Sequence, residues 1–487
     1  MTDIKKIKQN GKVYTPQYIV NNMLDFVGYT DDNILSKHIV DNSCGDGAFL
    51  TQIVDRYCRA FLRNNSNKLN LKKNLEKYIH GIEIEQEEAQ NCKTNLNKVA
   101  QKFKIKNTNW NIICGDSLEI SDFNGKMDFV VGNPPYVRVH NLIDSYDKVK
   151  SFQFAGAGMT DLYIVFFEIG FNMLNQTGKM CLISPSSFFR SKSGSVLRSH
   201  IKRKRCLSKV IDLEHFQPFE AAAYTAITMF DNNKHTDIDY YVYDGLSKSP
   251  RYIERLSYDD FFIDNKIVLS NKKQLSMLLN IEDYYKNSSP REIVVKNGFA
   301  TLADAAFIGD IDINDEFVID IIKASTGKWK KCIFPYLCNG KPISEIDLQK
   351  KHKAVYNYLL NQKELLLKRD ILNRGDWFLF GRTQGINDVF RYKIAVNSII
   401  KDIASIKINE IPSGSAVYSG LYILSPYTFH DIQSALLSQD FIDYLKLLKN
   451  YKSGGYYTMS SLELEKYLTY KIQGAIYEQQ ELFRKVN

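Results

Sequence analysis

Hydrophobic and polar positions alternate on two length scales between Gly11 and about Phe230. Short apolar runs of strand length are separated by longer stretches in which apolar residues recur at helical spacing. The strand-like runs are His38–Asp41, Tyr78–Ile84, Trp110–Cys114, Met127–Val131, Lys179–Ile183, Ser208–Leu213 and Ala226–Phe230. The helical patterns include Pro16–Phe26, Phe49–Arg63, Glu87–Phe103 and Leu162–Asn175. Strands that alternate with helices predict a doubly wound, mostly parallel sheet of seven strands.

The pattern changes near Asp231. The stretch Asn232–Asp264 is polar, mixes Asp, Lys, Ser and Tyr, and contains a Ser-Pro pair, which is typical of a passage between domains. A less regular region follows, with a helix predicted around Gln274–Tyr285 and aromatic-rich patches near Trp329, Trp377 and Tyr456. The sequence therefore predicts two domains, 1–240 and 241–487.

Composition narrows the class of protein. The chain has 487 residues, of which 44% are hydrophobic and 13% aromatic, so it can bury substantial cores. Its apolar stretches are too short to span a bilayer, no secretory signal opens the chain, and we expect a cytoplasmic protein. The eight cysteines form no Cys-x-x-Cys pair, so no metal site or disulfide framework is predicted. A net charge of +9 favours a polyanionic partner only weakly.

The turn after the fourth apolar run reads Gly-Asn-Pro-Pro-Tyr, from Gly132 to Tyr136. An amine attached to an aromatic ring is a poor nucleophile, so its methylation requires a site that accepts both amine hydrogens. The Asn133 amide offers one carbonyl acceptor, and the main-chain carbonyl of Pro134 offers a second. Pro135 stiffens the turn, and Tyr136 provides a flat face for stacking. Asn-Pro and Pro-Pro dipeptides also mark ordinary turns, so the neighbouring motifs must decide whether this turn has a chemical function.

Acidic turns follow three earlier strands. Gly45 and Gly47 lie in the loop after the first strand, where they let the backbone approach a ligand. Glu83 after the second strand suits a ribose diol, and Asp116 after the third suits an exocyclic amine. Each acid alone is also compatible with an ordinary surface carboxylate. The joint arrangement, with Asn133 after a fourth strand, indicates a nucleoside-containing cofactor.

The order of these motifs resembles that of the S-adenosylmethionine-dependent DNA adenine-N6 methyltransferases of the gamma arrangement. Gly11–Pro16 is similar to the opening motif of this family. Asp41–Phe49 is similar to its Asp-Pro-x-Cys-Gly-x-Gly-x-Phe motif, except that Asn42 stands where proline is usual. Later family motifs resemble Asp161-Leu162-Tyr163, Gly178–Pro185, Ser186–Arg198 and Phe219–Ile227, so that the resemblance covers about residues 11–230.

The resemblance implies a Rossmann-like methyltransferase domain followed by a mixed α/β target recognition domain. It implies that S-adenosylmethionine is bound by Val13, Thr15, Asp41, Ser43, Gly45, Gly47, Glu83, Ile84, Asp116 and Asn133. In this assignment the methionine part contacts the first four, Glu83 binds the ribose, and Ile84 and Asp116 bind the adenine. The catalytic residues are Asn133, Pro134, Pro135 and Tyr136. Tyr136 and Phe219 then hold an adenine flipped out of double-stranded DNA, and transfer is direct, with no metal.

In the second domain, basic, aromatic and glycine residues are mixed around Trp329, Trp377 and Tyr456. Arg382 and Gln384 lie in a polar loop and are candidates for reading base edges. For the two tryptophans a position in the core is favoured. The implied partners are double-stranded DNA, bound by a monomer, and a separately encoded restriction endonuclease.

Three alternatives stay open. Asn-Pro-Pro-Tyr also occurs in methyltransferases that modify glutamine in translation factors or guanine in ribosomal RNA, but these lack the opening motif and are usually shorter. A bifunctional restriction-modification enzyme would need a nuclease motif, and only ten residues precede Gly11. A non-catalytic DNA-specificity subunit would not need the intact tetrapeptide and cofactor acids.

Overall fold

The structure is a computed structural model, and it describes residues 14–138, 146–219, 224–263, 265–369, 377–382 and 384–474. The chain divides into two compact units, Met1–Leu275 and Ser276–Asn487. The boundary predicted after residue 240 is therefore misplaced, because it falls inside the strand Asp237–Asp244 of the first unit.

A nine-stranded sheet organises the first unit, in the order β3-β2-β1-β4-β5-β7-β6-β8-β9. Its strands are β1 (Ile39–Asp41), β2 (Ile79–Glu83), β3 (Asn111–Cys114), β4 (Met127–Gly132), β5 (Leu174–Pro185), β6 (Leu207–Asp212), β7 (Thr225–Asp231), β8 (Asp237–Asp244) and β9 (Ser249–Ser257). Strands β3, β2, β1, β4 and β5 pair in parallel. Only β7 and β9 run antiparallel to their neighbours. The carboxyl ends of β1 to β4 consequently meet at one edge of the sheet.

The seven predicted runs all form strands, but the expected total of seven is too low. Residues Asn232–Asp264, predicted as an inter-domain passage, instead supply β8 and β9. In β8 the buried residues Ile238 and Tyr240 alternate with more exposed polar ones. A strand of this kind buries one face only, and its other face has the composition of a linker.

Helices cover both faces of the sheet. They are α1 (Gln17–Val27), α2 (Ala48–Asn64), α3 (Lys68–Tyr78), α4 (Gln86–Lys102), α5 (Tyr146–Lys150), α6 (Leu162–Met173), α7 (Ser195–Lys204) and α8 (Tyr258–Phe261). Neighbouring residues of β1 belong to different cores: Ile39 packs with α1 to α4, and Val40 packs with α6 and α7. Because alternate strand residues point to opposite faces, both faces are buried. The predicted α/β architecture with helices on both sides of a large sheet is confirmed.

Short two-stranded pairing of β10 (Phe262–Ile263) with β11 (Lys266–Ile267) completes the first unit. Helix α9 (Lys272–Asn287) follows, at the position where a helix was predicted. Among the residues that the structure describes, no helix is long and apolar enough to cross a membrane.

Three small sheets occur among the described residues of the second unit. Their strand orders are β12-β20-β16-β18, β13-β15-β14-β19 and β17-β22-β21. The strands are β12 (Val294–Asn297), β13 (Ile308–Gly309), β14 (Val318–Lys323), β15 (Lys328–Ile333), β16 (Lys393–Val396), β17 (Ile399–Ile400), β18 (Ile408–Ile411), β19 (Ala416–Tyr418), β20 (Leu421–Leu424), β21 (Tyr451–Lys452) and β22 (Tyr456–Thr458). The α-helices are α10 (Asp304–Phe307), α11 (Glu345–Lys351), α12 (Lys353–Leu360), α13 (Lys363–Leu367), α14 (Phe429–Leu436), α15 (Gln439–Leu448) and α16 (Ser461–Leu468). This unit is thus a mixed α/β structure.

Candidate active site

A cavity of about 320 Å³ lies at the carboxyl edge of β1 to β4, where open α/β sheets bind ligands. Eight of the ten residues predicted to bind a cofactor line it: Thr15, Asp41, Ser43, Gly45, Glu83, Ile84, Asp116 and Asn133. Val13 lies outside the described residues. The structure therefore gathers into one cavity side chains from four strand ends and from the segment before α1.

Gly47, the tenth predicted residue, is absent from the described cavity wall. It precedes α2 with φ of 91°, in the left-handed region that favours glycine. A Cβ atom at this position would also lie 2.9 Å from Cys92 Sγ on α4. The geometry thus accounts for Gly47 by the turn into α2 and by close helix packing.

Asp41 is a buried carboxyl group at the end of β1, with 1% of its surface exposed. Its Oδ1 accepts the Ser43 backbone N–H at 3.1 Å. Burial raises the pKa of Asp41 from its ordinary value to about 7, the charge of Glu83 adds to this rise, and the Ser43 N–H opposes it. A buried carboxylate of this kind is stabilised by a cationic ligand.

Gly132 packs against Asp41 and directly precedes the tetrapeptide Asn133–Tyr136. A Cβ atom built on Gly132 would lie 2.8 Å from Asp41 Oδ1, closer than real Cβ contacts allow. Any side chain at this position would displace the carboxylate. The glycine before Asn133 is therefore required by the packing of the end of β4 against the end of β1.

Backbone amides hold Glu83 and Asp116, the two other acids predicted to bind the cofactor. Glu83 Oε2 accepts the Gly45 N–H at 2.9 Å, and Glu83 Oε1 accepts the Glu85 N–H at 2.9 Å. Asp116 Oδ1 accepts the Leu118 N–H at 3.0 Å. Each carboxylate oxygen can accept more than one hydrogen bond, so both groups retain acceptor capacity. They form a pre-organised acidic wall.

Asn133 is oriented by two hydrogen bonds. Its Nδ2 donates to Thr15 Oγ1 at 3.1 Å, and its main-chain oxygen accepts from Ser43 Oγ at 3.3 Å. Because the two ends of an amide point in different directions, the bond to Thr15 also fixes the direction of Oδ1. The segment before α1 and the loop after β1 thereby set the position of the side chain predicted to be catalytic.

Tyr136 lies among aromatic rings. The centroids of Tyr136 and Phe219 are 6.4 Å apart with an interplanar angle of 76°, and Tyr163 has the same relation to Tyr136. The Tyr136 hydroxyl is buried without a hydrogen bond to any described residue. Burial, assisted by Tyr163, raises the pKa of Tyr136 well above its ordinary value. The structure therefore brings Phe219 next to Tyr136, as the family motifs implied.

Sequence reasoning missed several wall residues. Tyr14 donates to Glu88 Oε1 at 3.2 Å across one side of the cavity, and burial together with Glu88 raises the pKa of Tyr14 to about 12. Leu162 and Phe166 of α6 contribute apolar surface. The signal for Tyr14 was its place between Val13 and Thr15, and the signal for Leu162 was its motif after Asp161.

In the second unit, Arg382 and Gln384 are exposed. Gln384 Nε2 donates to the Gly298 carbonyl at 3.3 Å. The buried Arg369 supports the segment before them, because its guanidinium donates to the main-chain oxygens of Trp377 at 2.6 Å and Leu379 at 2.8 Å. Both candidate side chains thus lie on a segment supported by main-chain contacts.

The two tryptophans differ. Trp377 is 4% exposed and belongs to the core of the second unit, as predicted. For Trp329 the core prediction is wrong, because 45% of its surface is exposed. It lies in β15, where Lys328 to Lys331 are all exposed. A tryptophan between lysines on such a strand faces solvent with them.

The described fold and site define a class: a doubly wound α/β unit with an acid-lined cavity beside an Asn-Pro-Pro-Tyr turn. Comparison with known proteins agrees with this class of fold and site. Residues 35–219 match the family described as Eco57I restriction-modification methylase. The type II methyltransferase M.BstVI of Geobacillus stearothermophilus is 26% identical, over 76% of this chain and 74% of that protein. The chain is therefore similar to the type II restriction-modification methyltransferases, in agreement with the methyltransferase resemblance of its motifs.

Other relatives match over part of their length. The type II restriction enzyme and methyltransferase RM.Eco57I of Escherichia coli is 22% identical, over 77% of this chain and 48% of that protein. The chain thus spans about half the length of this relative.

Solved structures show the same fold. The type IIL restriction-modification enzyme MmeI in complex with DNA has a TM-score of 0.62 and 14% identity, over 94% of this chain and 64% of that one. A nuclease-deletion mutant of the type ISP enzyme LlaGI, in complex with a DNA substrate mimic, has a TM-score of 0.57 and 14% identity, over 95% and 46%. At this identity the likeness concerns the fold.

Proposed function

We propose that this chain transfers a methyl group from S-adenosylmethionine to N6 of an adenine flipped out of double-stranded DNA. The observation that carries the proposal is the position of Asn133. It lies at the end of β4 on the wall of the acid-lined cavity, with its amide orientation fixed by Thr15. A cofactor cavity and an acceptor for an aromatic amine are thereby next to each other.

The cavity fits S-adenosylmethionine in charge and in character. Its volume of about 320 Å³ is typical of small-molecule sites. Asp41 is buried and its pKa is raised, so its carboxylate is suited to pair with the ammonium group of the methionine part. Glu83 suits the ribose hydroxyls, Asp116 suits the adenine amine, and the exposed Ile84 offers an apolar surface to the adenine ring. When bound, this cofactor supplies an electrophilic methyl group.

The tetrapeptide supplies the acceptors for the target amine. Asn133 Oδ1 and the Pro134 carbonyl accept its two hydrogens, which withdraws the nitrogen lone pair from the ring and directs it towards the methyl donor. Positioning of the amine next to the methyl donor accounts for the rest of the rate acceleration of methyl transfer. The bond from Asn133 Nδ2 to Thr15 ensures that Oδ1, rather than the amide NH₂, faces the amine.

Tyr136 and Phe219 are suited to hold the flipped base. Stacking on an aromatic ring contributes on the order of 1–3 kcal/mol per base, which offsets part of the cost of unstacking. In the structure the Phe219 ring lies edge-on to Tyr136 with centroids 6.4 Å apart. A base that stacks on Tyr136 must therefore displace Phe219 or slide beside it.

We assign sequence recognition to the second unit, with Arg382 and Gln384 as base-reading candidates. Their exposure and the main-chain support of their segment favour this assignment. A monomer acting on DNA, together with a separately encoded restriction endonuclease, completes the proposal. This chain matches only part of RM.Eco57I, so the nuclease activity of that protein is not assigned to this chain.

The test is a methylation assay with three acceptors: plasmid DNA that offers many sequences, ribosomal RNA, and a translation-factor peptide containing glutamine. Labelled methyl groups should appear in DNA alone, and single-molecule sequencing should place them on adenine N6 at one recurring sequence. Asn133→Ala should lower turnover by orders of magnitude while the cofactor Kd changes little. Methylation of cytosine N4, or of RNA or peptide, would contradict the assignment of the acceptor.

A further inference from the structure

Met159 is an apolar side chain exposed to solvent close to the tetrapeptide. Its exposed fraction is 81%, although the segment that carries it is firmly held. A single exposed apolar residue is ordinary on a protein surface. Met159 differs from such residues in two respects, which are its place in the fold and the contacts that fix its loop, residues 156–160.

Three polar side chains brace the Met159 loop. Lys150 Nζ and Thr160 Oγ1 both donate to the Ala155 carbonyl, at 3.3 and 3.2 Å. The Glu168 carboxylate of α6 accepts two main-chain N–H groups just before the loop, at 3.2 and 2.8 Å. Folding therefore covers the entropic cost of ordering the loop, so that Met159 is pre-organised for a partner.

The Met159 loop lies next to the tetrapeptide. Directly after the loop, Asp161 pairs with Arg138 in an antiparallel bridge, two residues beyond Tyr136. On the other side of the loop, a Cβ atom built on Gly158 would lie 3.3 Å from the backbone of the segment after β5. The loop is thus held between the chain that follows β4 and the chain that follows β5. This is the part of the sheet edge at which we place the flipped base.

Exposed cationic side chains border the loop on both sides. They are Arg138 and Lys192, and the Lys192 Cγ atom would lie 3.5 Å from a Cβ atom on Gly158. The two acids next to the loop, Asp161 and Glu168, are half-buried. DNA has closely spaced phosphate charges, so an apolar tip between two cations matches a duplex better than it matches an apolar partner.

Extrusion of a base leaves a gap in the stack of a duplex. Proteins that unstack DNA insert apolar side chains between the bases, and methionine is one of the residues that they use. Methionine is unbranched and polarizable, so it adapts to the flat faces of the bases on either side. A braced and exposed methionine beside the proposed base site has the chemistry and the access that this task requires.

We propose that Met159 enters the DNA stack at the step vacated by the extruded adenine, while Arg138 and Lys192 contact the adjoining phosphates. Met159 is then a positioning residue, because it stabilises the flipped state and touches neither the methyl donor nor the amine. The inference rests on the proposed function, methylation of adenine in duplex DNA.

The test is single-turnover methylation, at saturating protein and cofactor, of two duplexes that carry the methylated sequence. In the first duplex the target adenine is paired with thymine. In the second it faces an abasic site, which lowers the cost of extrusion. Met159→Ala should lower the rate on the order of tenfold to thirtyfold on the paired duplex and by less than about threefold on the second. Met159→Leu keeps an apolar wedge and should stay within about threefold of wild type on both.

Leu69→Ala is the matched control. Leu69 is 63% exposed and lies on α3, a helix that leads into the amino end of β2, so both rates should be unchanged. All variants should melt with wild type, because the substituted side chains are exposed. An equal loss on the two duplexes, or no loss on the paired one, would overturn the inference. Wild-type protein that methylates adenine in neither duplex would overturn the proposed function, and the inference with it.

Discussion

Binding of S-adenosylmethionine should depend steeply on pH below about 7, and Asp41 is the cause. In the free protein, burial raises the pKa of this carboxyl group to about 7. An ammonium ligand pairs with the ionised form only, so below pH 7 binding must first release a proton. The cofactor affinity should therefore rise with pH as Asp41 ionises.

The size of the pH effect on the cofactor Kd follows from the raised pKa of Asp41. One pKa unit corresponds to about 1.36 kcal/mol, or tenfold in affinity, so the Kd should increase roughly 25-fold between pH 7.5 and pH 5.5. Binding at pH 6 should release close to one proton. Above about pH 8 the ligand ammonium itself loses its charge, and the affinity should fall again.

Stability of the free protein should show the opposite trend. The folded state holds the Asp41 proton more tightly than the unfolded state, so this residue contributes stability at acidic pH that is lost as pH rises through about 7. The melting temperature gained on adding cofactor should accordingly increase with pH over the same window.

The assay is calorimetry between pH 5.5 and 7.5 in buffers of different ionisation enthalpy, which gives both the Kd and the protons released. Asp41→Asn removes the titrating group and should give a weaker but nearly pH-independent Kd. A wild-type Kd that varies less than about threefold across this range, or binding without proton release at pH 6, would refute the reasoning.

Three further predictions concern single side chains. Thr15→Val should lower the single-turnover rate at saturating cofactor about fivefold to tenfold, because Asn133 loses the bond that orients its amide, and Thr15→Ser should restore most of the rate; equal rates for Val and Ser would contradict this. Tyr136→Ala should reduce the fraction of target bases that are flipped out of the DNA, measured by 2-aminopurine fluorescence at the target position. Tyr136→Phe should keep most activity and melt no lower than wild type, since the hydroxyl has no described partner. Arg382→Ala should reduce the preference for the recognition sequence in competition binding with the cofactor Kd unchanged, and retained preference would remove Arg382 from the interface.

The local sequence was sufficient to place the cavity. Asp41, Glu83, Asp116 and Asn133 each follow a short apolar run, and parallel pairing brings the ends of such runs to one edge. No knowledge of tertiary contacts was required for that step.

What the sequence could not indicate depends on packing between distant segments. The raised pKa of Asp41 results from burial, and Gly132, which packs close to its carboxylate, lies ninety-one positions further along the chain. Strands β8 and β9 were missed because a strand near the sheet edge with one polar face has the composition of a linker. Trp329 lies between lysines, whereas Trp377 precedes Phe378, and the structure shows that Trp329 is exposed and Trp377 is buried.

The contacts of Arg369 have a consequence for substitutions at the exposed residues Arg382 and Gln384. Its guanidinium donates to four main-chain oxygens, those of Thr301, Leu366, Trp377 and Leu379, and to no side chain among the described residues. Main-chain oxygens are present whatever the side chain, so substitutions at the nearby exposed positions leave this support intact. On our proposal that residues 382 and 384 read bases, the unit can change its base preferences at these two positions without rebuilding its scaffold, and a library of altered specificities is best diversified there.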